Sequence, residues 1–229
     1  MNSSPVMTLD GPGGAGKGTL ASALARELGW YLLDSGALYR LVGLTALRRG
    51  LDPAAETDRE RGAEAARHLE LYFEPDSGDG QRVHLAGEDV TEAIRSDLVS
   101  EAASQWAVQA AVRDALLQRQ RAFAVPPGLI ADGRDMGTVI FPEADLKLFV
   151  TASAAERAAR RYAQLSELHA DANLDRIYQE IVERDARDAS RAVAPLKPAV
   201  DAHVIDTTGE TVAASIERVR GLVREKGWL

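Results

Sequence analysis

The feature that most constrains this chain is a glycine-rich stretch near its start, residues 11–19, with the sequence GPGGAGKGT. It follows the pattern of Gly, four residues and Gly-Lys that wraps phosphate groups, with the hydroxyl residue at Thr19, one place late. An apolar run at residues 6–9 precedes it, and behind it leucines recur every fourth residue from 20 to 28, as on a helix face. A strand, a glycine loop and a helix in this order predict an α/β domain that binds a nucleoside triphosphate.

Each residue type in this loop suits a triphosphate. Glycines let the backbone curl around phosphate oxygens, and the loop N–H groups form an anion nest with the helix N-terminus. We expect Lys17 to bind the β- and γ-phosphates and Thr19 to reach Mg²⁺, although Gly18 occupies the place of the regular hydroxyl ligand. The alternative, a glycine-rich turn that caps an ordinary helix, fits the flanks less well. The expected triphosphate-binding residues are Gly11, Pro12, Gly13, Gly14, Ala15, Gly16, Lys17, Gly18 and Thr19.

The composition limits the possible partners. The chain has 229 residues and a formal net charge of −8, with a pI near 5.1, which argues against general binding to nucleic acid or membrane surfaces. It has 0 Cys, so disulfides and thiolate metal sites are excluded, and a reducing cytosol is the expected compartment. Residues 1–5 do not read as a signal peptide, and no apolar run approaches membrane-spanning length. Nothing in the sequence demands more than a monomer.

Strands alternate with helices along most of the chain. Strands are expected at residues 6–9, 30–33, 129–131, 146–150 and 203–205, which predicts a five-stranded parallel sheet covered by helices on both faces. The second strand is expected to end in a polar turn at residues 34–36. Helices are expected around residues 37–44, 98–123, 154–168, 174–192 and 212–226.

Residues 52–100 differ in character and predict a small β-containing insertion. Residues 58–69 are charged and rich in alanine, which favours a helix, and residues 71–73 and 83–85 are short strand-like runs. Turns are expected at residues 75–80 and 87–89 because of their Gly, Pro and Asp content. We therefore expect one domain over residues 1–229, with its core at about 1–50 and 125–229.

A second group of polar residues follows the strand at 129–131. Asp132 stands where a carboxylate could hold the water shell of Mg²⁺, since the carboxyl ends of parallel strands face the phosphate loop. The alternative is that Asp132 caps a turn while Arg134 pairs with Asp135. We prefer the first interpretation and expect Asp132, with Thr19, to bind Mg²⁺.

Arginines supply two further patterns. Arg184, Asp188 and Arg191 are spaced to share one helix face that continues the apolar stripe of Ile177 and Ile181, which favours charges pointing inward to a phosphate and a sugar. An Arg184–Asp188 salt bridge is the commoner outcome of this spacing.

Three arginines of the helix predicted at 154–168, namely Arg157, Arg160 and Arg161, also share a face and suit a segment that closes on a transferring phosphoryl group. A solvated face with Glu156 pairing to Arg160 explains their spacing equally well. The four histidines show no metal-ligand spacing and are interpreted as ordinary surface or core residues; they are His68, His84, His169 and His203.

Taken together, these segments resemble the bacterial cytidylate kinases, from about residue 6 to the last helix. The resemblance is carried by the segments DGPGGAGKGT (10–19), LDSGALYR (33–40), DGRDMGT (132–138), Arg184-Asp185 and RAVAPL (191–196). Gly before Thr is the nucleoside-monophosphate kinase form of the loop, so Gly18 fits this family. The family implies a P-loop NTPase-type three-layer fold with a lid at about 154–175 and a monophosphate-binding insertion at about 52–100.

The resemblance also implies an activity and a set of roles. ATP with Mg²⁺ would phosphorylate CMP or dCMP, and the partners would be these small nucleotides. Cytosine would be read by Ser35, Arg113 and Asp135, and the sugar would be held by Ser104, Arg184 and Asp188. The acceptor phosphate would be clamped by Arg40, Arg134 and Arg191. The lid would carry Arg157 and Arg161, which with Lys17, Arg134 and Arg191 form the expected catalytic set.

Three alternatives stay open. A kinase for another small acceptor, such as UMP, AMP, shikimate or gluconate, would share the loop and differ in the base-reading residues. A GTP-dependent switch would need an Asn-Lys-x-Asp guanine reader, and neither Asn2 nor Asn173 is followed by Lys. A non-catalytic ATP-binding module would not need the second arginine cluster.

Overall fold

The computed structural model describes residues 4–74, 81–166 and 172–229. The chain forms two compact units, of which the first contains the residues up to Asp34 together with Arg121–Leu229, and the second contains Ser35–Gln120. The predicted turn at 75–80, His169 and part of the predicted lid, residues 167–171, lie outside the described residues. The predicted bounds of core, insertion and lid stay predictions.

The strands and helices follow the predicted alternation. The strands are β1 (Val6–Asp10), β2 (Tyr31–Asp34), β3 (Leu71–Phe73), β4 (Val83–Leu85), β5 (Glu88–Asp89), β6 (Leu129–Gly133), β7 (Leu146–Thr151) and β8 (His203–Asp206). The helices are α1 (Lys17–Leu28), α2 (Ser35–Arg48), α3 (Glu56–Arg67), α4 (Asp97–Trp106), α5 (Ala110–Arg121), α6 (Ala154–Ser166), α7 (Leu174–Ala189) and α8 (Val212–Glu225), with a 3-10 turn at Ala93–Arg95 and a π-helix at Met136–Ile140.

The first unit is built on the predicted five-stranded sheet, in the order β2-β6-β1-β7-β8 with every pairing parallel. β1 is central and buried along its whole length, as expected for a strand covered on both faces. In the β1–β6 register Leu9 lies opposite Asp132 and Asp10 opposite Gly133. The loop after β1 and the polar residues at the end of β6 therefore lie at the same edge of the sheet, where α/β proteins bind ligands.

Helix α1 fixes the phosphate loop to the core of this unit. It buries Leu20 and Leu24 in one cluster with Leu9 and with Val219 and Val223 of α8, and each leucine buried in this way contributes about 1.5–3 kcal/mol. The helix is capped by Gly29, which has φ 66° and donates its N–H to the Ala25 carbonyl. The loop is thus held between a buried strand and a buried helix.

The second unit packs its helices closely through small residues. A Cβ on Gly43 of α2 would lie 2.8 Å from the backbone nitrogen of Ala103 in α4, and a Cβ on Gly62 of α3 would lie 2.1 Å from the Trp106 ring. The predicted short strands are present in an antiparallel sheet of order β3-β4-β5. The alanine-rich helix α3 therefore buries its small side chains, and its charged side chains face outward.

The long helix predicted at 98–123 is wrong, because the segment forms two helices, α4 and α5. Residues 107–109 contain neither Gly nor Pro, so the sequence does not signal the break. The Ala107 carbonyl there accepts a hydrogen bond from Nη1 of Arg113 at 3.2 Å, which satisfies a backbone group that the break would leave without its helical partner. Ser104 and Arg113 consequently lie on different helices.

Two predicted turns also differ. β2 passes directly into α2 at Ser35, so there is no polar turn at 34–36. At 87–89 the turn is Ala86-Gly87, and Glu88–Asp89 is a strand paired with β4. Ala86 and Gly87 have φ of 50° and 81°, and two positive values at the centre of a two-residue hairpin match the twist of the strands that it joins.

Candidate functional site

The phosphate loop begins at a position that excludes any side chain. Gly11 has φ 145°, and a Cβ there would lie 1.9 Å from the Val150 carbonyl oxygen at the end of β7. Gly14 has φ 79°, and its Cβ would lie 3.3 Å from the Cβ of Arg157 in α6. Close backbone approach explains the glycine at position 11, and left-handed conformation explains those at positions 14 and 16, of which Gly16 has φ 89°.

Two carbonyl groups of the loop accept hydrogen bonds from side chains of the first unit. The Gly13 carbonyl accepts from Nη1 of Arg157 at 3.1 Å, and the Ala15 carbonyl accepts from Oγ1 of Thr207 at 3.1 Å. Because the trans peptide is planar, the N–H of each following residue points the opposite way, so Gly14 and Gly16 direct their N–H groups away from these donors. Together with the N-terminus of α1, which has no acidic residue in its first turn, the loop is a site for an anion.

Lys17 brings a positive charge to this loop. Its ammonium group is buried, donates to the Pro12 carbonyl at 2.8 Å and lies 4.0 Å from a carboxylate oxygen of Asp132. Burial lowers the pKa of Lys17 to about 8, with Arg134 and Arg184 acting in the same direction and Asp132 against them. The nearby carboxylates do not fully offset the burial of this positive charge, and this favours binding of phosphate oxygens.

Asp132 is the second-last residue of β6, at the carboxyl edge of the sheet. One of its carboxylate oxygens lies 3.6 Å from the point where a Cβ of Gly18 would be. Thr19 is exposed in the first turn of α1. A carboxylate and a hydroxyl are hard oxygen donors of the kind that Mg²⁺ takes, usually with water and substrate phosphates, so these residues fit such an ion.

The arginines after β6 and α7 are half-buried and form a cluster around the buried Asp188. Asp188 is 1% exposed. It accepts hydrogen bonds from Nε of Arg134 at 2.6 Å and from Nη2 of Arg191. Burial raises the pKa of Asp188, but Arg134 and Arg191, with a smaller contribution from Arg184, hold it below its usual range. Arg191 lies beyond the end of α7, so it does not share the helix face on which it was predicted. The ion pair keeps it beside Asp188.

The arginines of α6 are held by protein acceptors. Arg157 is buried, donates from Nε to the Ala152 carbonyl at 3.0 Å and pairs with Asp185 of α7. Arg160 pairs with Glu156 at 2.9 Å, the alternative left open by the sequence, and donates to the Thr207 carbonyl at 2.7 Å. Arg161 is half-buried on the same helix. In this structure Arg157 ties α6, α7 and the phosphate loop together.

In the second unit, predicted residues lie along a seam between α2 and α5. Ser35 donates its hydroxyl proton to Oε1 of Gln120 at 2.7 Å, and the Arg113 guanidinium lies 5.7 Å from the centre of the Tyr39 ring. All four residues are buried. Ser104 is buried on α4 and Arg40 is half-buried on α2. The sequence did not single out Tyr39 or Gln120, although they stand four residues after Ser35 and seven after Arg113, on the same helix faces.

Asp10 was also missed, although it ends β1 directly before the loop. Its two carboxylate oxygens accept the N–H groups of Met136 and Gly137, both at 2.7 Å, at the start of the π-helix that follows Arg134 and Asp135. Burial raises the pKa of Asp10 to about 7, against the lowering effect of these two hydrogen bonds. Asp135 is itself buried beside this anchor, at 3% exposure.

The raised pKa of Asp10 predicts a pH-dependent stability. Between pH 4 and 7 the unfolded chain has lost this proton and the folded chain keeps it, so rising pH favours unfolding by about 1.4 kcal/mol per unit. We expect a total loss on the order of 4 kcal/mol. Asp10→Asn cannot titrate, so the free energy of unfolding measured in urea from pH 4 to 7.5 should fall for the wild type relative to the variant. Parallel pH profiles would contradict the prediction.

Comparison with known proteins places this geometry among phosphotransferases. A family model described as cytidylate kinase matches residues 7–225. The chain is 54% identical over 225 residues to a protein named cytidylate kinase from Pseudomonas paraeruginosa (strain DSM 24068 / PA7), covering 98% of this chain and 97% of the relative. It is likewise 54% identical over 223 residues to a cytidylate kinase from Shewanella loihica (strain ATCC BAA-1088 / PV-4), covering 97% and 95%.

Among solved structures, an uncharacterized protein from Eubacterium ventriosum ATCC 27560 aligns with a TM-score of 0.52 at 10% identity, over 96% of this chain and 98% of that one. At this identity the likeness concerns the fold alone. In the part of the chain that the structure describes, no helix has the length and apolar character needed to cross a membrane.

Proposed function

The chain belongs to the cytidylate kinase family, and we propose that it transfers the γ-phosphoryl group of ATP to CMP or dCMP, forming ADP and CDP or dCDP. Membership in a kinase family implies ATP as the phosphoryl donor. The observation that supports the proposal best is that the first unit combines a phosphate loop and buried Lys17 with the Arg134–Asp188–Arg191 cluster. A mere ATP-binding module would need the loop and not the cluster.

We assign the donor to the loop. The N–H groups of residues 11–19 and the Lys17 ammonium would hold the phosphates, and Thr19 and Asp132 would hold Mg²⁺. When bound, Mg²⁺ neutralises charge on the β- and γ-phosphates. Lys17 would supply the protein's own positive charge to the same oxygens, and its burial makes this interaction stronger than it would be in water.

We assign the acceptor to the remaining polar residues. Arg40, Arg134 and Arg191 would bind its phosphate, and Ser104, Arg184 and Asp188 would bind its sugar. Ser35, Arg113 and Asp135 would read the cytosine, whose edge offers an amine donor and ring acceptors. Arg157 and Arg161 would belong to a closing lid. The support for these roles is the match to the family's motifs, together with the burial of Ser35, Ser104, Arg113, Asp135, Arg157 and Asp188 and the ion pairs of Asp188 with Arg134 and Arg191.

The chemistry asks for positioning and charge neutralisation. The attacking group is a phosphate oxygen of the acceptor, which is already anionic at neutral pH, so no strong general base is required. The guanidinium groups would offset the repulsion between donor and acceptor phosphates, and exclusion of water would prevent hydrolysis of ATP. We further propose that the protein acts as a cytoplasmic monomer on nucleotides, with no nucleic acid or membrane partner.

Diphosphate formation from CMP, dCMP, UMP, AMP and GMP, each with ATP and Mg²⁺, tests the proposal. Fast turnover of CMP and dCMP with slow turnover of the others is expected. Turnover of AMP or UMP in their place would overturn the roles of Ser35, Arg113 and Asp135. No turnover of any nucleotide would point to another class of acceptor, and size-exclusion chromatography of the same sample tests the monomer.

A further inference from the structure

The hydrogen bond between Ser35 and Gln120 has a defined direction. Gln120 is fully buried, and its amide nitrogen Nε2 lies 3.4 Å from the Leu116 carbonyl oxygen of its own helix. A carbonyl only accepts hydrogen bonds, so the NH₂ end of the amide belongs on that side. The amide oxygen then faces Ser35 at 2.7 Å, and because this oxygen only accepts, the Ser35 hydroxyl must donate.

A hydroxyl has one proton and two lone pairs. Once Gln120 has taken the proton, Ser35 Oγ can offer a further partner only its lone pairs. Toward any third group, Ser35 is therefore an acceptor. The seam around it is closed, since Tyr39 and Arg113 on the same two helices are also buried, so the hydroxyl does not rotate freely in bulk water.

Cytosine and uracil differ at the group that would meet such an acceptor. Cytosine carries an exocyclic amine, a donor, at the carbon where uracil carries a carbonyl oxygen, an acceptor. An oxygen that can only accept binds the amine and repels the carbonyl. We infer that Gln120 is a specificity-determining residue that selects CMP over UMP by fixing the polarity of the Ser35 hydroxyl. This inference rests on the proposed function, in which Ser35 contacts the base.

Removing the amide oxygen should relax the choice of base. In Gln120→Leu the Ser35 proton is released, so the hydroxyl can donate to uracil as readily as it accepts from cytosine. One misdirected hydrogen bond corresponds to a factor of about ten. We expect the ratio of kcat/KM for CMP to that for UMP to fall about tenfold or more.

The conservative variant and a matched control separate polarity from packing. Gln120→Glu, with its buried carboxyl protonated and donating to the Leu116 carbonyl as the amide does, keeps an acceptor oxygen opposite Ser35 and should keep the preference for CMP. Gln118→Leu removes an exposed amide from the same helix and should leave both substrates unchanged. Gln120→Met serves as a second variant without the amide oxygen, should Gln120→Leu not fold.

The test is the steady-state kinetics of these variants with CMP and with UMP. Melting temperatures check that each variant is folded. A wild type without a preference for CMP would overturn the proposed function itself. A wild type that prefers CMP, with Gln120→Leu and Gln120→Met keeping the same ratio, would overturn the inference and leave the proposed function standing. An equal loss of activity toward both substrates would likewise show that Gln120 only packs.

Discussion

Lys17→Met is expected to lower kcat by about 10³-fold while leaving the fold at least as stable as in the wild type. The loss follows from removing a buried positive charge from the transferring phosphoryl group, where one lost stabilising contact costs about 10²–10³-fold. Stability should hold because the Lys17 ammonium is buried and burial lowers its pKa, so its charged form is destabilised in the folded protein. Met has similar length and needs no solvation.

Because kcat should fall while stability does not, the two measurements distinguish a lost catalytic contact from unfolding. Initial rates with CMP and ATP give kcat, and urea unfolding gives the free energy of unfolding. Lys226→Met, which removes an exposed lysine just after α8, is the control and should alter neither quantity. A Lys17→Met protein that keeps kcat within tenfold of the wild type, or that loses activity only because it unfolds, would contradict the assigned role.

The phosphate loop and the sheet were predictable because their determinants are local. Glycine spacing, an apolar run and helical periodicity lie within about thirty residues of one another, and the structure places all five predicted strands in one parallel sheet. The break between α4 and α5 was not predictable, since the hydrogen bond that satisfies the Ala107 carbonyl there comes from the side chain of Arg113 in the next helix. Residues 107–109, between the two helices, include no Gly or Pro that would indicate the break.

The missed site residues share a different cause. Asp10 acts on the backbone of residues 136 and 137, more than 120 positions along the chain, and Gln120 meets Ser35 across 85 positions. Such pairings depend on which elements become neighbours, and the spacing of residues along one element does not reveal that. The alternative in which Arg134 pairs with Asp135 shows the same limit, because the strongest partner of Arg134 is Asp188, 54 residues away.

Asp188→Asn is expected to destabilise the protein by about 3–5 kcal/mol, as does removal of one partner from a buried ion pair. The amide has nearly the same shape but removes the negative charge that Arg134 and Arg191 share. If Asp188 also binds the sugar of the acceptor, KM for CMP should rise about a hundredfold while KM for ATP changes little. Glu180→Gln is the matched control, because Glu180 and its ion-pair partner Arg176 are both exposed on α7 and such pairs contribute about 0–1 kcal/mol.

A double variant separates folding from function at this cluster. Adding Arg134→Met to Asp188→Asn removes one of the two guanidinium groups that have lost the Asp188 charge, so the free energy of unfolding should recover part of the loss. CMP turnover should not recover, because Arg134 is also assigned to the acceptor phosphate. Activity that returns together with stability would mean that Asp188 and Arg134 only hold the fold. Stability that returns without activity would support a cluster whose buried carboxylate keeps two arginines in place for the acceptor.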